Sequence, residues 1–373
     1  MTGTTDRPVI AHVSSAHRAS DVRIHLREAA TAVAAGFEVY LVANAHEVDL
    51  PDTGVVVHGL PPQRGRVRRM TLGSLRAIWA TLKIRPDIVH MHDPELIWAI
   101  LPLRALRKRV IYDAHEDLPS QALGKDYLGV RATKLAVLVA RLLIRMAGKA
   151  DRVVAATETI AKTFPSRKVV LVRNYPLVRS GPAYDPILSR PLAVAYLGVM
   201  GASRGTGAMI DSFAQHEFPQ GWKAIIAGPE PEAQYWQDLT NRPGWARAVD
   251  YRGFMSTDAA RDLLNECRVG IVTLKRTPAY LDSLPTKMFE YFAAGMPAIA
   301  SDFPLWRQII EHYDCGLLVD ETRPDAIAAA VARYASDPEL LVRHSENALR
   351  ASRDHLNWTG EGERLIATYA QLV

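Results

Sequence analysis

Short apolar runs rich in valine, isoleucine and alanine recur along the whole chain, and segments with helical spacing of apolar residues separate them. Strands that alternate with helices form parallel sheets covered by helices on both faces, so we predict an α/β fold. The predicted strands are Val9–Val13, Glu38–Val42, Val55–His58, Ile88–His92, Val110–Asp113, Arg152–Ala156, Val169–Val172, Ala193–Leu197, Lys223–Ala227, Val249–Arg252, Val269–Thr273, Ala298–Ser301 and Gly316–Val319.

The chain has 373 residues, too many for one ordinary hydrophobic core. Residues 174–191 carry four prolines and little periodicity, a composition typical of an interdomain linker. We therefore expect two Rossmann-like units with parallel sheets that face a cleft between them. Neither half contains a GxGxxG run, which disfavours a nicotinamide-dependent dehydrogenase.

Composition indicates an ordinary globular protein, with 48% hydrophobic and 23% charged residues. The first residues, MTGTTDRPVIAHVSS, lack a basic stretch followed by an apolar one, and Arg141 interrupts the longest apolar run. We expect no secretion signal and no membrane span. The two cysteines form neither a disulfide framework nor a metal motif, so we expect a cytoplasmic location.

Charge is distributed unevenly between the halves. Residues 1–180 hold 27 Lys and Arg against 16 Asp and Glu, whereas the remainder holds 18 against 24. This basic half predicts an anionic partner, unless its arginines are simply solvated. The arginine cluster at residues 64–69 lacks interleaved aromatic residues, which disfavours nucleic acid. The predicted helix at 128–149 suits either peripheral contact with an anionic membrane or burial with one cationic edge.

The segment DSLPTKMFEYFAAGMPAIAS, residues 282–301, combines a loop, a helix and a strand. Pro285 suits the first helical position and Gly295 the residue just after the helix, so the helix is predicted at 286–294. Unpaired backbone N–H groups at its N-terminus suit a diphosphate. An ordinary capped helix is the alternative interpretation.

Several motifs together resemble family GT4 of the GT-B glycosyltransferases. They are DIVHMHDPELIWA, VIYDAHED, the Asn174-Tyr175-Pro176 linker and DSLPTKMFEYFAAGMP. The resemblance covers essentially the whole chain. It implies an N-terminal acceptor-side domain at 1–178, onto which the helix at 358–373 packs back, and a C-terminal domain at 179–357 that binds the nucleotide sugar.

The resemblance also implies roles for residues of the second half. Family members carry a Glu-x7-Glu motif, which this chain replaces with Asp282-x7-Glu290. Glu290 is expected to bind the ribose and Asp282 to approach the transferred sugar. In the glycine-rich turn GVMGASRGTG, Arg204 is expected to neutralise the leaving diphosphate. The other expected donor-binding residues are Lys275, Ser283, Leu284, Thr286 and Phe254, with Lys287 as either a diphosphate ligand or a solvent-facing lysine.

In the first half, the resemblance makes His92 the histidine that approaches the transferred sugar. His90 is expected to lie in a different environment of the sheet and to serve packing. His115 and Glu116 follow the next strand and are candidates for acceptor or sugar contact. The expected acceptor loop is SSAHRASDVRI, with Ser15, His17, Asp21 and Arg23, although Ser20 or Asp21 also suits a helix N-cap.

The implied reaction is retaining transfer of a sugar from a nucleotide-diphosphate sugar to a hydroxyl acceptor. Polysaccharides, glycolipids and secondary-metabolite glycosides are the expected products. The sequence shows no Asp-x-Asp motif near the predicted site and no histidine–cysteine ligand spacing, so we expect no metal and no cofactor. Two alternatives stay open: a nucleotide-sugar 2-epimerase of the same fold, and a non-catalytic partner subunit that binds a sugar nucleotide.

Overall fold

The computed structural model describes residues 7–45, 50–61, 65–115, 117–123, 129–177 and 184–373. Contacts divide the chain into two compact units, one of residues 1–174 with 358–373 and one of residues 175–357. The division falls a few residues before the predicted boundary at 178.

The first unit contains a seven-stranded parallel sheet in the order β3-β2-β1-β4-β5-β6-β7 among the described residues. Its strands are β1 (Val9–Arg18), β2 (Glu38–Asn44), β3 (Val56–Leu60), β4 (Ile88–Met91), β5 (Arg109–Ala114), β6 (Arg152–Ala155) and β7 (Val169–Leu171). The α-helices are α1 (Ala30–Ala34), α2 (Arg66–Arg68), α3 (Ser74–Ile84), α4 (Ile100–Ala105), α5 (Leu118–Leu123), α6 (Val130–Ala147), α7 (Glu158–Ala161) and the C-terminal helix Trp358–Ala370. Two π-helical segments, Val22–Ala29 and Arg69–Gly73, and two 3₁₀ turns, Pro94–Ala99 and Ser166–Lys168, complete the unit.

The two faces of this sheet are covered differently. Side chains of α3, α4 and α6 pack with alternate residues of the strands in one apolar core. On the opposite face, the π-helical segment Val22–Ala29 and the C-terminal helix lie over histidines of β1 and β4. The Trp358 indole donates a hydrogen bond to Thr31 there. One face is therefore apolar and the other carries a buried polar cluster.

The second unit contains a six-stranded parallel sheet in the order β10-β9-β8-β11-β12-β13 among the described residues. Its strands are β8 (Ala193–Leu197), β9 (Lys223–Ala227), β10 (Val249–Tyr251), β11 (Val269–Val272), β12 (Ala298–Ser301) and β13 (Gly316–Val319). Its helices are α8 (Thr206–Ser212), α9 (Ala233–Thr240), α10 (Pro243–Ala248), α11 (Thr257–Leu263), α12 (Pro278–Leu281), α13 (Thr286–Ala293), α14 (Pro304–Tyr313), α15 (Pro324–Ser336) and α16 (Pro338–Asp354), with 3₁₀ turns at Ile187–Ser189, Ala202–Arg204 and Leu264–Glu266.

The α/β prediction is confirmed, and each predicted strand is present within a few residues of its predicted bounds. Every residue of β4, β8, β11 and β12 is buried. Central strands of a parallel sheet are covered on both faces, which explains why they appear in the sequence as continuous apolar runs. None of the helices described here is long and apolar enough to cross a membrane.

Candidate functional site

In the second unit, a glycine-rich loop follows β8 and leads through a 3₁₀ turn into α8. Gly205 lies in this loop with φ of 69°, and a Cβ atom there would stand 1.7 Å from the carbonyl oxygen of Thr273. Only glycine permits so close an approach at this φ. The Lys275 N–H donates to the Ser203 carbonyl at 3.0 Å. The loop after β8 is therefore fastened to the loop after β11 at the carboxyl ends of neighbouring strands.

Helix α13 begins beside this loop. Pro285 has extended backbone angles and immediately precedes the helix, rather than occupying its first turn as predicted. The Lys287 ammonium lies 3.7 Å above the Tyr196 ring. It lies near Gly198, where an added Cβ would be 3.9 Å away. A strand-end glycine, an aromatic ring and a helix N-terminus therefore surround one ammonium group.

The Lys287 ammonium is buried although the residue as a whole is partly exposed. Among the described residues it has no hydrogen-bond partner. Burial, with a smaller contribution from the positive charge of Arg204, lowers the pKa of Lys287 from 10.5 to about 7, although Glu290 opposes the shift. A buried ammonium without a hydrogen-bonded anion is costly, so the site favours an anionic ligand.

The predicted donor residues lie in the loops and helices that follow strands of the second unit. Arg204 is half-buried at the end of its 3₁₀ turn, and Glu290 is half-buried on α13. Asp282 is exposed at the C-terminus of α12. Leu284 and Thr286 are half-buried, Lys275 is exposed, and Phe254 exposes 77% of its surface and is therefore not a core aromatic. The Ser283 carbonyl accepts a 2.7 Å hydrogen bond from the Trp306 indole, which fixes the loop before α13.

In the first unit, Asp93 organises the carboxyl ends of β1 and β4. Its carboxylate accepts hydrogen bonds from the Ser14 hydroxyl at 2.9 Å and from the Ser15 N–H at 2.5 Å. His17 Nδ1 lies 2.8 Å from the other carboxylate oxygen. Burial opposes ionisation, but the bonds from His17, Ser14 and Ser15 outweigh it and lower the pKa of Asp93 to about 2. The carboxylate thus holds His17 at the carboxyl end of β1, where 30% of the His17 side chain is exposed.

Asp113, at the end of β5, organises a second group. Arg23 donates to both of its carboxylate oxygens, at 2.9 and 2.7 Å. His92 Nδ1 and His115 Nδ1 each lie 3.1 Å from Oδ2. Burial opposes ionisation, yet Arg23 and then His115 hold the pKa of Asp113 well below its usual range. Nδ1 of His115 is therefore anchored, while the side chain remains 18% exposed.

Behind these carboxylates lies a fully buried cluster of histidines. His12 on β1 pairs in register with His90 on β4, and the rings of His90 and His92 lie 4.6 Å apart. His12 Nδ1 lies 3.0 Å from His92 Nε2. The expectation that His90 occupies a different environment was wrong, because residues two apart on a strand face the same side. Burial lowers the pKa of all three imidazoles.

The predicted acceptor residues separate into two groups. Ser15, His17 and His115 lie at the strand ends, together with the buried His92. Asp21 instead caps the following helix by accepting a 2.9 Å bond from the Ile24 N–H, and Arg23 is buried in its ion pairs. Glu116 lies outside the described residues.

Sequence reasoning missed several residues that the structure makes central. They are His12, Glu28, Asp93, Asp113 and Tyr369, and Lys287 was left between two interpretations. Asp93 and Asp113 carried a usable signal, since each follows or ends a predicted strand. The other residues have no local pattern that distinguishes them from core-packing residues.

Comparison with known proteins assigns each half of the chain to a glycosyltransferase domain. Residues 22–174 match the Glycosyltransferase Family 4 model, and residues 187–351 match the model of the glycosyl transferases group 1. The chain therefore belongs to the GT-B glycosyltransferases of family 4, in which a group 1 domain follows the N-terminal domain.

Individual relatives are distant in sequence. The chain is 25% identical to the alpha-D-kanosaminyltransferase of Streptomyces kanamyceticus over 184 residues, which cover 49% of this chain and 46% of that protein. The chain spans less than half the length of the curated relatives it matches.

Solved structures share the fold. Sucrose-phosphate synthase from Thermosynechococcus elongatus gives a TM-score of 0.77 at 18% identity, covering 98% of this chain and 99% of that one. The Anabaena protein HepE in complex with UDP and glucose gives 0.74 at 13% identity, covering 98% and 100%.

Proposed function

We propose that this protein transfers a sugar from a nucleotide-diphosphate sugar to a hydroxyl acceptor with retention of anomeric configuration. The observation that carries the proposal is the buried ammonium of Lys287, which lies beside a glycine turn and the N-terminus of α13. A diphosphate would supply the hydrogen-bonded anion that this ammonium lacks among the described residues, and it would also accept bonds from the amides of the helix N-terminus. The complex of HepE with UDP and glucose supports the same ligand class.

The other donor residues complete this assignment. We assign Arg204 and Lys275 to the charge that develops on the departing diphosphate, since their loops are joined through Ser203. We assign Glu290 to the ribose hydroxyls and Asp282 to the transferred sugar, with Phe254 beside the base. These cations replace a metal ion, so nucleotide binding and turnover are expected to persist in EDTA.

Donor binding is tested by calorimetric titration with UDP, GDP and dTDP. Lys287→Met is expected to lower the affinity for the preferred diphosphate at least tenfold, since charge-assisted bonds contribute about 1.5–3 kcal/mol. Lys223→Met removes an exposed lysine of β9 and serves as the matched control. Unchanged affinity in Lys287→Met would refute this diphosphate site.

Turnover and stereochemistry need separate assays. Incubation of the preferred UDP-, GDP- or dTDP-sugar with a pool of hydroxyl acceptors is expected to give a glycoside with the donor's anomeric configuration, measured by NMR. Donor conversion without acceptor would favour the 2-epimerase instead, and donor binding without any turnover would favour the partner subunit.

We assign acceptor recognition to the strand ends of the first unit. His17 and His115 each have Nδ1 held by a buried carboxylate, which orients the rest of the ring. We expect His115→Gln to raise the acceptor KM or lower kcat while leaving the affinity for the nucleotide diphosphate unchanged. His58→Gln, on the exposed edge strand β3, is the control. Wild-type kinetics in His115→Gln would remove the residue from the acceptor site.

We further propose that the α6 face of the first unit binds the inner, anionic surface of a membrane. Leu135, Leu138 and Leu142 are each more than half exposed, at a spacing that places them on one side of the helix. The helix carries no acidic residue, and its cationic residues Arg131, Lys134, Arg141 and Arg145 are exposed. Exposed apolar side chains flanked only by cations suit anionic lipid. A second copy of the same face would place cations against cations.

Other helices on this face of the sheet also expose apolar residues. Leu75 and Trp79 of α3 and Leu101 of α4 are exposed, and α3, α4 and α6 contribute to the same apolar core. The protein is expected to co-sediment with phosphatidylglycerol vesicles and to co-sediment much more weakly with phosphatidylcholine vesicles. Leu138→Ser with Leu142→Ser should reduce it, unlike Leu349→Ser in the second unit. Equal sedimentation with both lipids, or a concentration-dependent dimer lost in the double variant, would overturn the membrane assignment.

A further inference from the structure

The buried histidine cluster of the first unit contains one potential metal ligand from each of four residues. These ligand atoms, from His12, Glu28, His90 and His92, all lie within 4.8 Å of one another. All four residues are fully buried. Glu28 Oε2 lies 4.0 Å from Nδ1 of His12, 3.7 Å from Nδ1 of His90 and 3.9 Å from Nδ1 of His92. Three imidazoles therefore surround one carboxylate oxygen.

The cluster leaves strongly polar atoms unsatisfied. Among the described residues, no hydrogen-bond donor reaches either carboxylate oxygen of Glu28. His90 Nε2 also has no hydrogen-bond partner among them. Arg23 makes an ion pair with Oε1 at 3.1 Å, and Oε2 lies 3.7–4.0 Å from a nitrogen of each of the three imidazoles. A buried carboxylate oxygen without a donor is expensive, and a cation would satisfy it.

The surrounding groups hold the rings as outer-shell partners hold metal ligands. Asp113 bonds His92 Nδ1 at 3.1 Å. The Tyr369 hydroxyl lies 2.7 Å from His90 Nδ1 and 3.3 Å from His12 Nε2. Histidines that bind a metal through one ring nitrogen commonly bond a carboxylate or another polar group through the other, which fixes the ring and its tautomer. These bonds leave Nε2 of His90 and His92 and Nδ1 of His12 for an ion, and His12 Nδ1 already lies 3.0 Å from His92 Nε2.

From this geometry we infer that His12, Glu28, His90 and His92 bind a structural zinc ion. Three imidazole nitrogens and one carboxylate oxygen are a ligand set that zinc accepts in tetrahedral geometry. Ligands about 2.0–2.1 Å from a tetrahedral zinc lie about 3.4 Å apart, so ligand atoms that are now up to 4.8 Å apart need to approach one another by up to about 1.4 Å. The site is closed, which assigns the ion to stability rather than to reaction with a substrate.

A bound ion would connect three parts of the first unit. Its ligands come from β1, from the π-helical segment Val22–Ala29 and from the end of β4. Binding would link the covering helix to the sheet and would raise the stability of the native state by mass action. This inference does not depend on the proposed sugar transfer.

Metal content of the wild-type chain is the direct test. Tag-free protein from zinc-supplemented cells should contain about one zinc per chain by mass spectrometry of the elements. Removal by a chelator under mild denaturation, followed by refolding with Co²⁺, should give the visible absorption bands of tetrahedral cobalt. X-ray absorption at the zinc edge should show histidine nitrogen and oxygen ligands at about 2.0–2.1 Å. Less than one-tenth of an equivalent of zinc, with no cobalt spectrum, would overturn the inference.

Variants connect the metal to these residues. Glu28→Gln and His90→Gln should each lower zinc affinity at least tenfold and remove the rise in Tm that zinc gives the wild type. His344→Gln is the matched control, because His344 is also buried and bonded to a tyrosine, Tyr334, at 2.8 Å. Wild-type zinc affinity in both cluster variants would refute the site. If neither variant folds, the wild-type stoichiometry and ligand spectrum decide the question.

Discussion

Replacing Lys287 by methionine should stabilise the protein at neutral pH while weakening its binding of a diphosphate. The pKa of Lys287 falls from 10.5 to about 7 in the folded protein because its ammonium is buried. A shift of this size corresponds to about 5 kcal/mol at about 1.4 kcal/mol per pKa unit. Methionine has a similar length and no charge to bury. The variant should therefore be up to about 4 kcal/mol more stable than the wild type at pH 7, where part of the lysine is already neutral.

The sign of the pH dependence follows from the same shift. Between pH 7 and 10.5 the unfolded chain binds the lysine proton more fully than the folded chain does, so wild-type stability rises with pH in this window. This one group contributes about 2 kcal/mol between pH 7 and 9. Lys287→Met lacks that contribution, and its advantage over the wild type should shrink accordingly.

Urea unfolding of both proteins at pH 6, 7, 8 and 9, at constant ionic strength, measures this difference. Other titrating groups are shared by the two proteins and cancel in the comparison. Lys223→Met, in which an exposed lysine is replaced, should show neither the gain nor the pH dependence. A stability difference that stays constant from pH 7 to 9, or a variant less stable than the wild type at pH 7, would refute the burial argument.

Ligand binding tests the same ammonium independently. A diphosphate beside Lys287 stabilises the charged form and raises its pKa, so binding at pH 8 should take up close to one proton. Calorimetric titration in buffers with different ionisation enthalpies measures that number. Diphosphate affinity should fall as pH rises above 7, because neutral lysine must first be protonated. Proton uptake that is unchanged in Lys287→Met would assign it to another group.

Three further outcomes are expected. Gly205→Ala should lower Tm and weaken diphosphate binding, because the new Cβ would lie 1.7 Å from the Thr273 carbonyl oxygen. Gly36 also has a positive φ but has open space around it, so Gly36→Ala should lower the free energy of unfolding by only about 1 kcal/mol. Equal losses of stability in the two variants would refute the predicted clash. Asp113→Asn should destabilise the first unit by about 3–5 kcal/mol in urea unfolding, because it breaks a buried ion pair with Arg23. Asp250→Asn breaks a more exposed ion pair and should cost at most about 1 kcal/mol. Similar losses in the two variants would show that the buried ion pair is not stabilising. Glu290→Gln should weaken the binding of a nucleoside diphosphate about tenfold or more. The binding of a deoxyribose analogue should be insensitive to this change. Equal losses of affinity for the ribose and deoxyribose ligands would contradict a contact between Glu290 and the ribose.

The proposed zinc site shows that local sequence patterns do not predict ligands that come from distant segments of the chain. We expected no metal because no short segment has ligand spacing, yet the cluster joins residues 12, 28, 90 and 92. His12 and His90 become neighbours only because β1 and β4 pair in parallel register. Strand pairing between distant segments therefore brings together potential metal ligands that short-range spacing does not predict.

The sequence by itself determined the α/β class, the strands and the position of α13, because these depend on periodicity, proline and glycine within a few residues of one another. It also identified strand-end residues such as His17 and His115, since functional groups collect where parallel strands end. Only the tertiary structure decided that Lys287 is buried without a hydrogen-bond partner among the described residues and that Arg23 is enclosed by carboxylates. Burial and charge pairing are set by segments far apart in the chain, and no local pattern encodes them.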